Sequence, residues 1–253
     1  MKKIIVITLV IGLATALFFS WQHFEKMKAT TSQVAFFDKP DSKIWLHRVY
    51  DFKVANKLLP KFKGLETDIV FDTSRNVFDL RHDVDDDFHN RTLDNFFNGI
   101  NDANKYYYWL DFKNLGKNTL SGSISRLEFL INKYDLKDRL IVESYNLKDL
   151  SKIKEHGIAI SYWGPHFEIT DKKEWDNSFD NLKNALYKYD IDAISFHCEM
   201  TPFLSSKFND CNVHVWTNGL YLESDRKTID SLANLDFIKV ILVDLESSYS
   251  SVQ

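Results

Sequence analysis

Glycine is scarce in this chain, with eight residues in 253. None stands in a G-x-G-x-x-G or Walker-type run, the turns that let a backbone close around phosphate. Their absence weighs against an open, doubly wound nucleotide-binding sheet. Cysteine is scarcer still. Cys198 and Cys211 have neither zinc-finger nor redox spacing. They are close enough in sequence to pair in an oxidising compartment, and equally suited to be two buried free thiols. There is no excess of positive charge: the net charge is −4 and the pI about 6.1. That excludes the electrostatic footprint of a nucleic-acid binder. No internal repeat and no low-complexity tract is present.

What is present suits a globular protein. At 253 residues the chain has the size of one α/β barrel. Apolar residues make up 44% and charged residues 27%, enough for a sizeable core. After Met1-Lys2-Lys3, residues Ile4 to Trp21 form an uncharged apolar run. Such a run reads as a hydrophobic helix ahead of the fold, a signal peptide or signal anchor over residues 1–24. Ala14-Thr15-Ala16 fits a cleavage site, but the sequence that follows, LFFSWQHF, stays apolar and favours an uncleaved anchor. Lys2 and Lys3 put the N-terminus in the cytoplasm. The rest of the chain is then expected outside it, attached to the membrane. Residues 25–41 are polar and mixed and read as a tether to a domain spanning 42–253.

That domain alternates. Apolar, β-rich runs fall at 44–49, 64–71, 106–114, 139–146, 157–164, 191–198, 212–219 and 237–247. Between most of them, apolar residues recur three and four apart, as in SRLEFLINKYDLK and DRKTIDSLANL. Eight βα units predict a parallel sheet closed into a (β/α)8 TIM barrel. The strands are apolar rather than cleanly alternating, as strands covered on both faces must be.

In such a barrel the active site lies at the C-terminal ends of the strands, and polar residues gather there. The first run ends in His47-Arg48. The second carries Glu66 and Asp68, two apart and so on one side. His82-Asp83 follow shortly after. The third run ends in Asp111-x-Lys113, the fourth in Glu143-Ser144-Tyr145, the seventh in Trp216-Thr217-Asn218. Glu66, Asp68 and Asp111 offer oxygen ligands to a hard divalent cation, Mg²⁺ or Ca²⁺. His47 and His82 suit general acid–base work, since imidazole titrates at about 6.5. Arg48 and Lys113 suit an anion such as phosphate. Each motif alone has a bland reading. A lone Glu-x-Asp is ordinarily a solvated edge, a lone His-Asp a turn, and Asp-x-Lys a strand-end ion pair. Their joint occurrence on three successive units is what points to chemistry.

The constellation His47-Arg48, Glu66-x-Asp68, His82-Asp83 and Asp111-x-Lys113 resembles the glycerophosphodiester phosphodiesterase family, among the phospholipase-C-like phosphodiesterases. Ser144-Tyr145 and Val215-Trp216-Thr217-Asn218 are similar to later motifs of that family. The resemblance implies a TIM barrel and a metal-dependent phosphodiester hydrolase. It implies His47 and His82 as the acid/base pair and Glu66, Asp68 and Asp111 as metal ligands. It further implies that Arg48, Lys113, Glu143 and Trp216 face the substrate or its phosphate, a small or lipid-derived phosphodiester. Three positions depart from the pattern. Val49 replaces a glycine, Asp111 stands where glutamate is commoner, and the family's Glu-Asn pair has only Ala55-Asn56 as its nearest counterpart. The sequence thus reads as a divergent branch.

Two other readings compete. One is a non-catalytic binding or envelope-assembly protein on an old enzyme barrel, motivated by the missing Glu-Asn pair. The other is a glycosidase pairing Glu66 with Glu143, which leaves both histidines unused. His166, His197 and His214 offer a second metal site or, as the preferred reading, polar lining of the barrel mouth.

Overall fold

The computed structural model describes residues 43–165, 172–217, 219, 221 and 224–244, with side chains omitted for 172–176. The N-terminal apolar run and the tether lie outside the described residues. Among the described residues, no helix is long and apolar enough to cross a membrane.

The elements follow in order as β1 (Ile44–Leu46), α1 (Phe52–Phe62), β2 (Gly64–Asp72), β3 (Val77–Leu80), α2 (Leu93–Gly99) and β4 (Tyr107–Phe112). Then come α3 (Leu120–Tyr134), β5 (Leu140–Ser144), α4 (Leu147–Lys154), β6 (Ala159–Trp163) and α5 (Lys172–Lys188). The last are β7 (Ala193–His197), α6 (Thr201–Lys207), β8 (Asn212–Trp216), α7 (Arg226–Ala233) and β9 (Ile238–Val243). All strands but β3 are parallel to their neighbours, and β1 pairs with both β9 and β2, which closes the barrel. The expected eight-stranded TIM barrel is therefore present.

One strand departs from the expected alternation. β3 folds back antiparallel on the long β2, pairing Ile69–Asp72 with Val77–Leu80. Its apolar residues Phe78 and Leu80 are buried, as is Asp79. Four residues that alternate only once are too few to separate a short hairpin strand from a loop. Helix α6, with its proline in the first turn, likewise falls in a stretch without helical periodicity long enough to notice.

Local chemistry sets the helix ends. Asp51 caps α1 by accepting the Lys53 amide at 2.7 Å, and Lys63 ends it in the left-handed region at φ 66°. Thr92 caps α2 through the Asn95 amide. On α1 the buried face is Val54, Ala55, Leu58 and Leu59, one stripe of the helix turned to the barrel wall. Two apolar clusters result. One joins β1–β6 to α1–α4, the other joins β7–β9 to α5–α7, and Phe62, Tyr162 and Ile191 pack against both. At two places the scarce glycines are irreplaceable. A Cβ on Gly64 would sit 2.3 Å from the Trp45 indole, and one on Gly164 would sit 2.5 Å from the Ser195 carbonyl.

Candidate active site

The register of the sheet explains why the carboxylates meet. Asp68 on β2 lies beside Asp111 on β4, Asp111 beside Glu143 on β5, and Glu143 beside Ser161 on β6. In a parallel sheet, residues in register point to the same face. One row across four strands is therefore polar and faces the barrel interior near its C-terminal end. Oxygens of Glu66, Asp68 and Asp111 approach to within 4.8 Å of one another.

The site is a cavity of about 400 Å³. His47, Arg48, Glu66, Asp68, His82, Asp111, Lys113, Glu143 and Trp216 all line it, so these residues from separate stretches of sequence reach one place. They reach it differently. His47 is buried, and its Nδ1 lies 2.9 Å from Asp244 Oδ1 while Nε2 lies 3.9 Å from Glu66 Oε2. His82 is on the loop after β3, its side chain 52% exposed and its Nδ1 2.8 Å from Asp83. Arg48 takes a left-handed backbone (φ 54°) and donates its amide to Glu66 Oε2 at 2.8 Å. Lys113 sits between Asp68 and Asp111, at 2.7 and 2.6 Å.

Burial and mutual repulsion set the protonation of this cluster. Burial, then the charges of Asp68 and Asp111, raise the Glu66 carboxyl well above the usual carboxylate range. Burial also raises Asp111, against the pull of Lys113. Burial, with Asp111 next to it, pushes Glu143 up to about 8, although the Ser161 hydroxyl donates to it at 2.7 Å. For Lys113, burial acts to lower its pKa, but Asp111 and Asp68 outweigh it and hold the ammonium charged.

Three carboxyl groups crowded around one half-buried lysine offer oxygen ligands that a divalent cation would hold deprotonated, offsetting the burial and repulsion that raise Glu66 and Asp111. Asp68 already accepts from Lys113 through one oxygen and from the Tyr50 hydroxyl through the other. A carboxylate oxygen has two lone pairs, so these bonds leave room for a metal. The donor set therefore fits the cation that the sequence predicts.

Several site residues were not singled out from sequence. Asp244 orients His47 and also accepts the Gly219 amide at 2.7 Å. Its signal was the same as for the others: an acid at the end of an apolar run. Tyr50 bonds Asp68, and nothing in its surroundings in the sequence marks it. Trp163, also unmarked, is 44% exposed at the end of β6, and Tyr145, which the sequence resemblance names, is 57% exposed just past β5. With Trp216, whose ring lies 6.3 Å from that of Trp163, they form an aromatic half of the mouth opposite the charged half.

Other expectations need correction. Ala55 is wholly buried, and Asn56 bonds the Gly99 carbonyl and the Asn101 amide, tying α1 to the end of α2. The pair is structural and does not line the cavity. His214 does not line the mouth. It is fully buried in the barrel, 4.9 Å from the Trp109 ring, and burial lowers its pKa to about 3. His197 packs edge-on against Trp216, and His166 lies outside the described residues. Both cysteines are free.

No protein-family model matches this sequence, and no curated protein matches it. Solved structures do match. A glycerophosphodiester phosphodiesterase from Parabacteroides distasonis aligns with a TM-score of 0.61 at 14% identity, over 83% of this chain and 95% of that one. One from Agrobacterium tumefaciens gives 0.54 at 11% identity, over 81% and 96%. An Oleispira antarctica phosphodiesterase, solved with its product sn-glycerol-3-phosphate, gives 0.54 at 13% identity, over 80% and 92%. The chain therefore has the fold of the glycerophosphodiester phosphodiesterases.

Proposed function

We propose that this protein is a metal-dependent phosphodiester hydrolase acting on glycerophosphodiesters or related lipid- or envelope-derived diesters. The observation that carries the reading is the convergence, on one 400 Å³ cavity, of two histidines, a three-carboxylate cluster and two cations. The shared fold supports it.

The residues divide the work as follows. Arg48 and Lys113 hold the phosphate anion by charge. One imidazole accepts the proton of the attacking hydroxyl, from water or from the substrate itself, and the other gives a proton to the departing alkoxide. Internal attack would yield a cyclic phosphate with the same two groups. Asp244 fixes the His47 ring, and the low position of His47 in the cavity shields it from bulk water. Glu66, Asp68 and Asp111 would hold Mg²⁺ or Ca²⁺, which when bound offsets charge developing on phosphate oxygens. Glu143 and Trp216 face the substrate. From the sequence alone, we place the barrel outside the cytoplasm, attached to the membrane through residues 1–24.

The experiment is hydrolysis of bis-p-nitrophenyl phosphate in EDTA and after restoring Mg²⁺, Ca²⁺ or Mn²⁺. We expect metal-dependent turnover that falls at least ~100-fold in His47→Ala and in Glu66→Ala. Cation binding without turnover on any phosphodiester would instead favour a binding protein on an old enzyme barrel. The structural role of Asn56 gives that second reading its support.

A further inference from the structure

A second cavity, of about 440 Å³, opens beside the first. Its walls come from the segment between β1 and α1 and from the end of the β3–α2 loop. Arg48 lines both cavities. Tyr50 stands between them, its hydroxyl on Asp68 of the metal cluster and its ring against the second space. The floor is apolar and buried: Val49, Leu80 and Phe96 are all within 2% of full burial. Among its polar groups, the cations Arg48, Lys53 and Arg91 are exposed at the rim with Asn90 and Asn95, and Asp51 is half-buried. The loop that forms one wall is pinned. The buried Asp79 carboxylate accepts the His89 and Arg91 amides at 2.9 and 3.2 Å. A held, preformed apolar cavity of this size suits a small apolar group.

We infer that this cavity receives an apolar arm of the phosphodiester, an alkyl or acyl-bearing alcohol, while the phosphate sits against Arg48 in the first cavity. The inference rests on the phosphodiesterase reading and names its substrate class. Continuity through Arg48 argues for it, because an ester arm leaving a phosphate held there has the second cavity next to it. Val49 argues for it too. The side chain that replaces the expected glycine forms part of the apolar floor. A second anionic group meets Lys53 and Arg91 only at the exposed rim, and entering the buried floor would cost it its water.

The test uses the full chain with Mg²⁺ and titration calorimetry of methyl phosphate, hexyl phosphate and propane-1,3-diyl bisphosphate. Each buried methylene is expected to tighten binding about fourfold, so hexyl phosphate should bind at least ~30-fold more tightly than methyl phosphate. Asn95→Trp fills the cavity from its exposed rim and leaves the backbone cap on Thr92 in place. It should reduce that advantage to under about threefold, with Asn95→Phe intermediate. Turnover of methyl and hexyl p-nitrophenyl phosphates separates the two claims. Equal turnover of both, with hexyl phosphate no tighter than methyl, overturns the cavity inference and leaves the hydrolase standing. A hexyl advantage lost in Asn95→Trp, without turnover of either ester, sustains the cavity inference and removes the hydrolase reading. Tightest binding of the bisphosphate reassigns the cavity to a second phosphate and overturns the inference.

Discussion

In the proposed mechanism His47 and His82 would do the same kind of chemistry from opposite circumstances. His47 is buried and held by Asp244, while His82 stands on a loop, half exposed, against its neighbour Asp83. Asp244 touches the His47 ring, which makes it a positioning residue in that mechanism. Asp244→Asn keeps the size of the side chain but offers the ring a different partner, which disfavours the correct tautomer. We expect kcat to fall at least ~100-fold with KM changed less than about threefold, measured by steady-state kinetics on a p-nitrophenyl diester. A matched rise in KM would assign Asp244 to substrate binding instead. This residue also shows where reading the sequence stops. The spacing of Glu66 and Asp68 announces a shared face, and His47-Arg48 is conspicuous at a strand end. Asp244 lies 197 positions from His47, and only barrel closure joins them. Tyr50 was hidden for a different reason. A tyrosine beside an apolar run is ordinarily core, and its bond to Asp68 depends on the path of the chain after the left-handed Arg48.

Among the elements, β3 and its loop do the most with the least. The eight barrel strands were legible because each is a long apolar run between helical periodicities. β3 was not, because its four residues owe their place to pairing with β2 and to the buried Asp79. Asp79 also lies 3.7 Å from the Arg81 guanidinium. Asp79→Ala leaves two loop amides without an acceptor, which costs about 2–4 kcal/mol. The expected result is a lower denaturation midpoint together with faster amide exchange across residues 81–92. Phosphodiester turnover should fall as His82 loses its place. Unchanged exchange in that loop would show that β3 alone holds it.

The whole barrel pays for its chemistry in stability that depends on pH. Glu143 titrates near 8 in the folded protein because of burial and Asp111, against about 4.3 when unfolded. The folded state therefore binds more protons than the unfolded state between those values, and stability falls as pH rises through that window. Below about 4.3 the contribution of this group is fully present, and above 8 it has been lost. Glu143→Gln keeps a neutral side chain at every pH. In EDTA its melting temperature should exceed that of the wild type by more at pH 8 than at pH 5. A difference of a few degrees or more is expected for this buried group, and thermal denaturation at the two pH values measures it. An equal offset at both would mean that Glu143 is already ionised in the folded protein at pH 5.

The closing seam of the barrel has a consequence for how the protein is made. β1 is three residues long and is held by β9, the last of the described strands, with Ile44 beside Ile241 and Leu46 beside Val243. During translation β1 leaves the ribosome almost two hundred residues before its partner does. Until then the first half of the sheet has an open edge, the kind of surface on which nascent chains aggregate or are held by chaperones. The bond from Asp244 to His47 forms only when that edge is sealed. A nascent chain stopped short of β9 is therefore both unsealed and without the oriented His47 that the proposed hydrolysis requires.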